Sequence, residues 1–501
     1  MLAEQRLLAR QREAGVDLFE DEHGEDPRGA LRETMDRVVG TVWPHATSWL
    51  ASLAERDVRP AADVEAMRAA LGGPLPEQPL DPAQVVDDLA RAAEPGLLAT
   101  PSGRFFGFVI GGALPAALGA DWLTAAWDQN AGLASAGPAA AVVEEVAAAW
   151  LADLLGLPAH VSTGFVTGAQ MANVTALAAA RHHVLAAVGH DVERDGLVGA
   201  PPVRVLAGAQ RHVTIDRALR YLGLGTGSLV PIAVDDQGRM RADALADALA
   251  GGDGPTIVCA QAGEVNTGAF DPFPEICAAA HEAGAWVHVD GAFGLWAAAS
   301  PRHRHLVAGV EAADSWTTDA HKWLNVPYDS GLVFCAHPEA HRAAMGVRAA
   351  YLIHADSGGR DQMDWNPEFS RRARGFAVYA ALRSLGRQGV ADLVERCCRH
   401  AQRFAEGLRA AGAEVRNDVV LNQVLVRFRA PAGTGLDDDA FTRRVITGVQ
   451  EEGTCWLSGT TWQGRAAMRI SVSNWSTTAD DVDRSLDAIL RVAGLRRPSA
   501  T

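Results

Sequence analysis

Between Gly164 and Ala336 the chain alternates short apolar runs with longer helical ones. The apolar runs are Gly164 to Thr167, Val203 to Ala209, SLVPIAV, TIVCAQ, AWVHVD and LVFCA. Between them stand an alanine-rich stretch that carries on to Arg181, a helix beginning near His212, RADALADALA and PFPEICAAAHEAG. Strands of that length separated by helices of that length predict an α/β fold with a mostly parallel sheet covered by helices on both faces. In such sheets ligands sit beyond the carboxyl ends of the strands. Gly168, His212, Asp290 and Lys322 all fall at or just after such ends.

The flanks read differently. Residues 1–90 are helical in character and broken by prolines, with too little apolar surface to fold alone, which predicts a helical N-terminal arm packed on something larger. Residues 91–388 then form a large domain and 389–501 a small α+β domain, in which a long helix, the strand NQVLVRF, a further helix and the strand MRISVSNW follow one another. A helix is expected from about Ala139 to Leu155. The Phe105-Phe106 pair reads first as core and second as the wall of an apolar pocket, and Trp127 fits either account. The stretch His354 to Glu368 is polar, contains glycine and lacks periodicity, which predicts a mobile loop or lid.

Composition narrows the function. The net charge of −16 over 501 residues argues against nucleic acid held on a basic surface. No apolar run is long enough for a membrane span, and MLAEQRLLAR lacks a signal-peptide core, so a cytoplasmic protein with a small-molecule partner is expected. The six cysteines show no framework spacing, as expected for reduced thiols.

One lysine, Lys322, stands among arginines at every other position of that type. Arginine cannot form a Schiff base, so a single retained amine among apolar and aromatic neighbours reads as a nucleophile. Asp290, ending the apolar run WVHVD, is a carboxylate that a strand would bury only for a partner such as a protonated pyridine nitrogen. His212 is suited to stack on a ring. The turn at Gly168, opening a helix through Ala169 and Gln170, offers backbone donors to a phosphate. Taken singly, Asp290 as a helix cap and His212 as a core histidine are the plainer readings. Four coincidences at strand ends favour a cofactor.

With these residues in place, DAHKWLNVPYDSG, HVDGAFG, GAQMANVTALAAAR and GRFFGFVIGGALP resemble the pyridoxal-phosphate-dependent group II decarboxylases, the family of aromatic-amino-acid and glutamate decarboxylases. The resemblance runs from about Pro79 to Leu385. It implies a type I aminotransferase-like fold, pyridoxal 5'-phosphate as cofactor, and a homodimer with active sites at the interface. It further implies that Lys322 carries the cofactor, Asp290 pairs with the pyridine nitrogen, Ala292 packs under the ring and His212 stacks above it. Gly168, Ala169, Gln170 and His321 would surround the phosphate.

Two departures bear on the reaction. The aromatic decarboxylases carry a tyrosine on the mobile loop, whereas this chain has Gln362 near that place and no tyrosine between His354 and Glu368. Where those enzymes read N-P-H-K, this chain reads Asp319-Ala320-His321-Lys322, and because an aspartate would repel a phosphate its side chain is expected to point elsewhere. The leading expectation is decarboxylation of an L-amino acid. Phe105, Phe106, Trp127 and His354 are candidates for its pocket, and the aromatic rings would favour an apolar or aromatic side chain. The alternatives are a carbon–carbon lyase, an aldehyde-forming oxidative decarboxylase or an aminotransferase on the same cofactor, and a dimeric binding protein that keeps only the fold.

Overall fold

Lys322 lies on the connection where the large sheet reverses direction. The computed structural model describes residues 27–347 and 360–497. By their contacts these fall into two units: the residues up to Leu98 without Asp57–Arg59, and Asp57–Arg59 with the chain from Ala99 onward. In the first unit, helices α1 (Pro27–Ser52), α2 (Val64–Leu71) and α3 (Pro82–Ala93) follow one another. Asp81 caps α3 by accepting from the Gln84 N–H, and also pairs with Arg37 of α1 at 2.8 Å. His45 of α1 meets Asp87 of α3 at 2.8 Å. Leu31, Met35, Val39 and Trp43, spaced by four along α1, are all exposed.

In the second unit, helices α4 (Pro115–Trp127) and α5 (Pro138–Leu154) precede the large sheet. That sheet contains β2 (Ser162–Val166), β3 (Arg204–Gly208), β4 (Leu229–Ile232), β5 (Thr256–Gln261), β6 (Trp286–Asp290), β7 (Ser315–Asp319) and β8 (Gly331–Cys335) in the order β2-β8-β7-β6-β5-β3-β4. β7, β6, β5, β3 and β4 are mutually parallel, while β8 runs antiparallel to both β7 and β2. Between these strands run α6 (Ala169–Ala186), α7 (Val213–Tyr221), α8 (Ala242–Ala250) and α9 (Phe273–Glu282). The alanine-rich helix α6 continues beyond Arg181 to Ala186, because Val184 and Leu185 still have core to bury against.

A second, five-stranded sheet has the order β1-β11-β12-β10-β9, built from β9 (Glu414–Val415), β10 (Gln423–Arg427), β11 (Trp456–Trp462) and β12 (Arg465–Ser471), with Phe105–Phe106 added at its edge as β1. The helical stretch from Gly375 to Ala410 is two helices meeting at Gly386, whose φ of 60° is open to glycine and strained for most other residues.

The expected lid needs correction over its described part. Residues 361–364 and Asn366 are buried: Gln362 is fully so and donates to the Ala141 carbonyl, Asn366 donates to the Gln362 carbonyl, and the Met363 N–H reaches the Gly132 carbonyl.

Candidate active site

The turn carrying Lys322 is fixed from three directions. The N–H groups of Ala320 and His321 both reach the Ser330 carbonyl, closing the β7–β8 connection on itself. Asn325, fully buried, accepts the Gly112 and Trp475 N–H groups on Oδ1 and donates from Nδ2 to the carbonyls of Trp323 and Ser473. The third constraint is Gly111, where a Cβ would stand 1.8 Å from the Lys322 carbonyl oxygen. Only a residue without a side chain lets that segment lie against the lysine backbone.

At this turn Lys322 Nζ lies 3.1 Å from Asp319 Oδ2. Asp319 Oδ1 accepts the Ala169 N–H at 2.6 Å. His321 Nδ1 accepts the Ser330 N–H, so its proton sits on Nε2, 3.4 Å from the same Asp319 oxygen. This corrects the expectation that Asp319 points away: its buried carboxylate is drawn inward by an ammonium and by the positive end of α6. The Ala169 donor expected for a phosphate is engaged by Asp319, while the next N–H groups of the first turn have no partner within their helix. The Gly168 turn is tightly held, since a Cβ on Gly331 would come within 2.4 Å of Gly168 Cα. His321 stacks on Tyr328 at 4.2 Å, and burial pushes its pKa down.

The second half of the site is a directed chain of hydrogen bonds ending on Asp290. The Trp286 Nε1–H donates to Ser315 Oγ at 2.9 Å, and that hydroxyl lies 3.0 Å from His288 Nδ1. His288 Nε2 lies 2.9 Å from Asn173 Oδ1, which also accepts from Thr317, leaving Asn173 Nδ2 to donate to Asp290 Oδ2 at 3.2 Å. Burial holds His288 neutral, with its pKa near 4, so Nδ1 accepts from the serine and Nε2 donates to the amide. The Ala292 N–H serves the other Asp290 oxygen at 3.2 Å.

His212 caps α7 with Nδ1, accepting from the Thr214 N–H, and meets the Thr214 hydroxyl at 2.9 Å. Its proton therefore sits on Nε2. Desolvation lowers the His212 pKa, opposed by Asp290 and reinforced by the charges of Lys322 and Arg469. Gln170 reaches back to the Thr214 carbonyl, joining α6 to α7. Arg469, on β12, has a buried Nε without a partner, and desolvation lowers its pKa against the pull of Glu264.

Thus Gly168, Ala169, His321 and Lys322 gather around Asp319, while Ala292, Asn173 and Thr214 meet Asp290, Gln170 and His212 bond to Thr214, and His212 feels the charges of both groups. The pocket candidates lie otherwise. Phe105 stacks on Trp456 at 5.2 Å and Phe106 meets Phe404 edge-on, both fully buried in the small sheet's core. Trp127 is half-exposed against Phe376. His354 lies outside the described residues.

Sequence reasoning missed Asn173, Thr214, His288, Arg469, Asn325 and Gly111. His288 was within reach, because strand alternation puts it on the same face as Asp290. Asn173, a lone amide among the alanines of its helix, was a weaker signal.

The residues fit pyridoxal phosphate: a buried carboxylate for the ring nitrogen, a poised amine, an imidazole whose pKa desolvation lowers and which feels the charges of both, and a glycine turn opening a helix. A profile of the pyridoxal-dependent decarboxylase conserved domain matches residues 65–430. The L-2,4-diaminobutyrate decarboxylase of Rhizobium meliloti (strain 1021) is 32% identical over 383 residues, covering 74% of either chain. The aromatic-L-amino-acid decarboxylase of Bacillus atrophaeus is 26% identical over 443 residues, 86% of this chain and 89% of that one. Among solved structures, Oryza sativa TDC with PLP and tryptamine superimposes with a TM-score of 0.83 at 24% identity, covering 95% of this chain and 99% of that one, which supports the type I fold. The chain belongs to the pyridoxal-dependent decarboxylases, and is a pyridoxal-phosphate enzyme of the carboxy-lyase class.

Proposed function

We propose that the enzyme removes the α-carboxylate of an L-amino acid as carbon dioxide, with Lys322 as the cofactor-bearing residue. The observation that carries this is the placement of the chain's one lysine amine beside Asp319, with the Asp290 carboxylate buried at the end of a hydrogen-bond chain. Bound pyridoxal phosphate supplies the electron sink that makes loss of carbon dioxide possible. Asp290 would hold a proton on the ring nitrogen, and the neutral chain behind it, from Trp286 to Asn173, has no charge with which to compete. Asp319 would hold the Lys322 amine whenever that amine is free of the cofactor. Ala292 would pack under the ring, and His212, whose Nδ1 is engaged by Thr214, would offer its Nε2–H to the substrate. Arg469, a desolvated guanidinium felt by His212, is suited to an anionic group of the substrate.

The reading includes a homodimer with shared sites and a cytoplasmic setting. The exposed stripe Leu31, Met35, Val39 and Trp43 supports the dimer, because an apolar helix face of that length calls for a covering surface. Six free, buried cysteines agree with a reducing compartment. An aromatic or apolar substrate side chain draws little from Phe105 and Phe106, which spend their surface in the core. Cofactor-loaded protein should be incubated with L-amino acids of each side-chain class, following carbon dioxide, amine, aldehyde and keto acid. Amine with equimolar carbon dioxide supports the proposal, whereas aldehyde with carbon dioxide, or keto acid without it, overturns it.

A further inference from the structure

The small sheet carries a cationic hollow that the catalytic site does not use. Register puts Trp462 opposite Arg465 and Thr460 opposite Ala467, and Val426 opposite both Met468 and Val415. Alternation then brings Arg416, Arg427, Arg465 and Trp462 to one face. Beneath them lie Leu425, Ala467 and the Trp462 ring, a small buried apolar cluster. Because Ala467 ends at its Cβ, the face is hollow there, and Arg416, Arg427, Arg465, Gln463 and Trp462 line a cavity of about 230 Å³. The hairpin tip that bounds it is pinned, since Gln463 Nε2 donates to the Asp236 carbonyl.

The charge around this hollow is unbalanced. Arg427 is only 9% exposed and pairs with Asp439 at 2.8 Å, yet its Nη1 is buried with no partner. Arg416 comes no nearer than 4.0 Å to Glu414, which Arg429 holds at 2.6 Å. No ion pair involving Arg465 occurs among the described residues. Among the described residues Asp439 is thus the one carboxylate within 3 Å of these three guanidinium groups, with Asp438 at 3.8 Å from Arg427 and Glu414 at 4.0 Å from Arg416, in a protein whose net charge is −16. A buried donor without an acceptor is costly, and guanidinium forks match planar or tetrahedral oxyanions.

We infer that this hollow is a binding site for the carboxylate or phosphate of a small metabolite, separate from the catalytic site. The cations recognise the oxyanion and the Trp462 wall accepts an apolar remainder. A cavity of this size, below that of drug-sized pockets, admits only a small occupant.

The test uses cofactor-saturated protein titrated calorimetrically with inorganic phosphate and, separately, succinate, while the cofactor's absorbance is recorded. The expected result is saturable binding of at least one probe, one per chain, with the absorbance unchanged and the affinity falling at least tenfold in Arg465→Ala and in Arg416→Ala. Binding of phosphate alone assigns the site to phosphate esters, of succinate alone to carboxylates, and of both to oxyanions generally. Turnover and cofactor content of the variants should match the parent, since neither side chain belongs to the catalytic group. The inference is overturned if neither probe binds, if binding tracks loss of cofactor, or if both variants bind as the parent does.

Discussion

The buried pair Glu144–Arg371 offers a demanding test of how the region behind the Gly168 turn is held. Its side chains are 0% and 1% exposed, and the guanidinium grips both carboxylate oxygens, at 2.7 and 2.6 Å. Arg371 also donates to the Ala131 carbonyl at 3.0 Å and approaches the Phe165 carbonyl at the end of β2. Glu144→Leu would leave a guanidinium in the interior with only carbonyl dipoles for company. Breaking a buried pair from one side costs about 3–5 kcal/mol, and two charge-assisted hydrogen bonds at roughly 1.5–3 kcal/mol each give a similar range. Glu144→Gln keeps the shape and one acceptor and should cost about half as much. The double variant Glu144→Leu with Arg371→Met removes both charges and should be more stable than Glu144→Leu alone, because two neutral groups no longer need each other. Denaturant unfolding of the cofactor-loaded protein, extrapolated to water, gives the comparison. The reasoning fails if Glu144→Leu loses less than about 1 kcal/mol, or if the double variant loses the sum of the two single changes.

Four further outcomes follow from the geometry. Lys322→Ala should abolish turnover and the visible-edge absorbance of the cofactor-loaded protein while leaving the far-ultraviolet circular dichroism unchanged; retained turnover would remove the lysine from its role. Gly111→Ala drives a methyl group into the Lys322 carbonyl, so turnover should fall at least a hundredfold, by about 2.7 kcal/mol, with smaller loss of overall stability. Val39→Asp on the exposed α1 stripe should shift the species seen by light scattering from dimer to monomer and lower activity with it. His341 is held to a pKa of about 3 by burial, while an unfolded histidine titrates near about 6.5. The unfolded chain therefore binds the extra proton between those values, and this histidine's stabilising effect is full above about pH 6.5 and lost as pH falls towards 3. Asp271, raised to about 7 by burial, acts with the opposite sign, so the measurement is the difference between His341→Gln and the parent: the variant should lose less stability than the parent between pH 7 and 4.

How much of this was legible beforehand depended on what each residue does locally. The strands around the site announced themselves, because a parallel sheet covered on both faces leaves continuous apolar runs: the sequence puts a strand end at Asp290, and β6 ends there. Lys322 stood out by chemistry and by being alone. Asp319 was misjudged because its partners, the Ala169 N–H and the Lys322 amine, reach it only after β7 and α6 are packed together. The segment around Gln362 was taken for a loop for the same kind of reason, the acceptor of that side chain lying 221 residues earlier at Ala141. Phe105 and Phe106 could be given to the core by composition alone, but pairing with Trp456 and Leu457, some 350 positions later, is not written in local periodicity. Long-range polar contacts were the part hidden from a reading along the chain.

The hydrogen-bond chain from Trp286 to Asp290 also limits what substitutions the site can accept. Each link is a donor on one side and an acceptor on the other, like words that must agree in grammatical gender. Changing Asn173 to aspartate would remove the donor that faces Asp290 and set two carboxylates against each other. Changing Ser315 to alanine would leave the indole N–H and the imidazole Nδ1 both unmatched. A tolerated replacement would therefore have to arrive in compensating pairs, and a scan of double substitutions across Asn173, His288 and Ser315 should recover function in combinations whose single members are inactive.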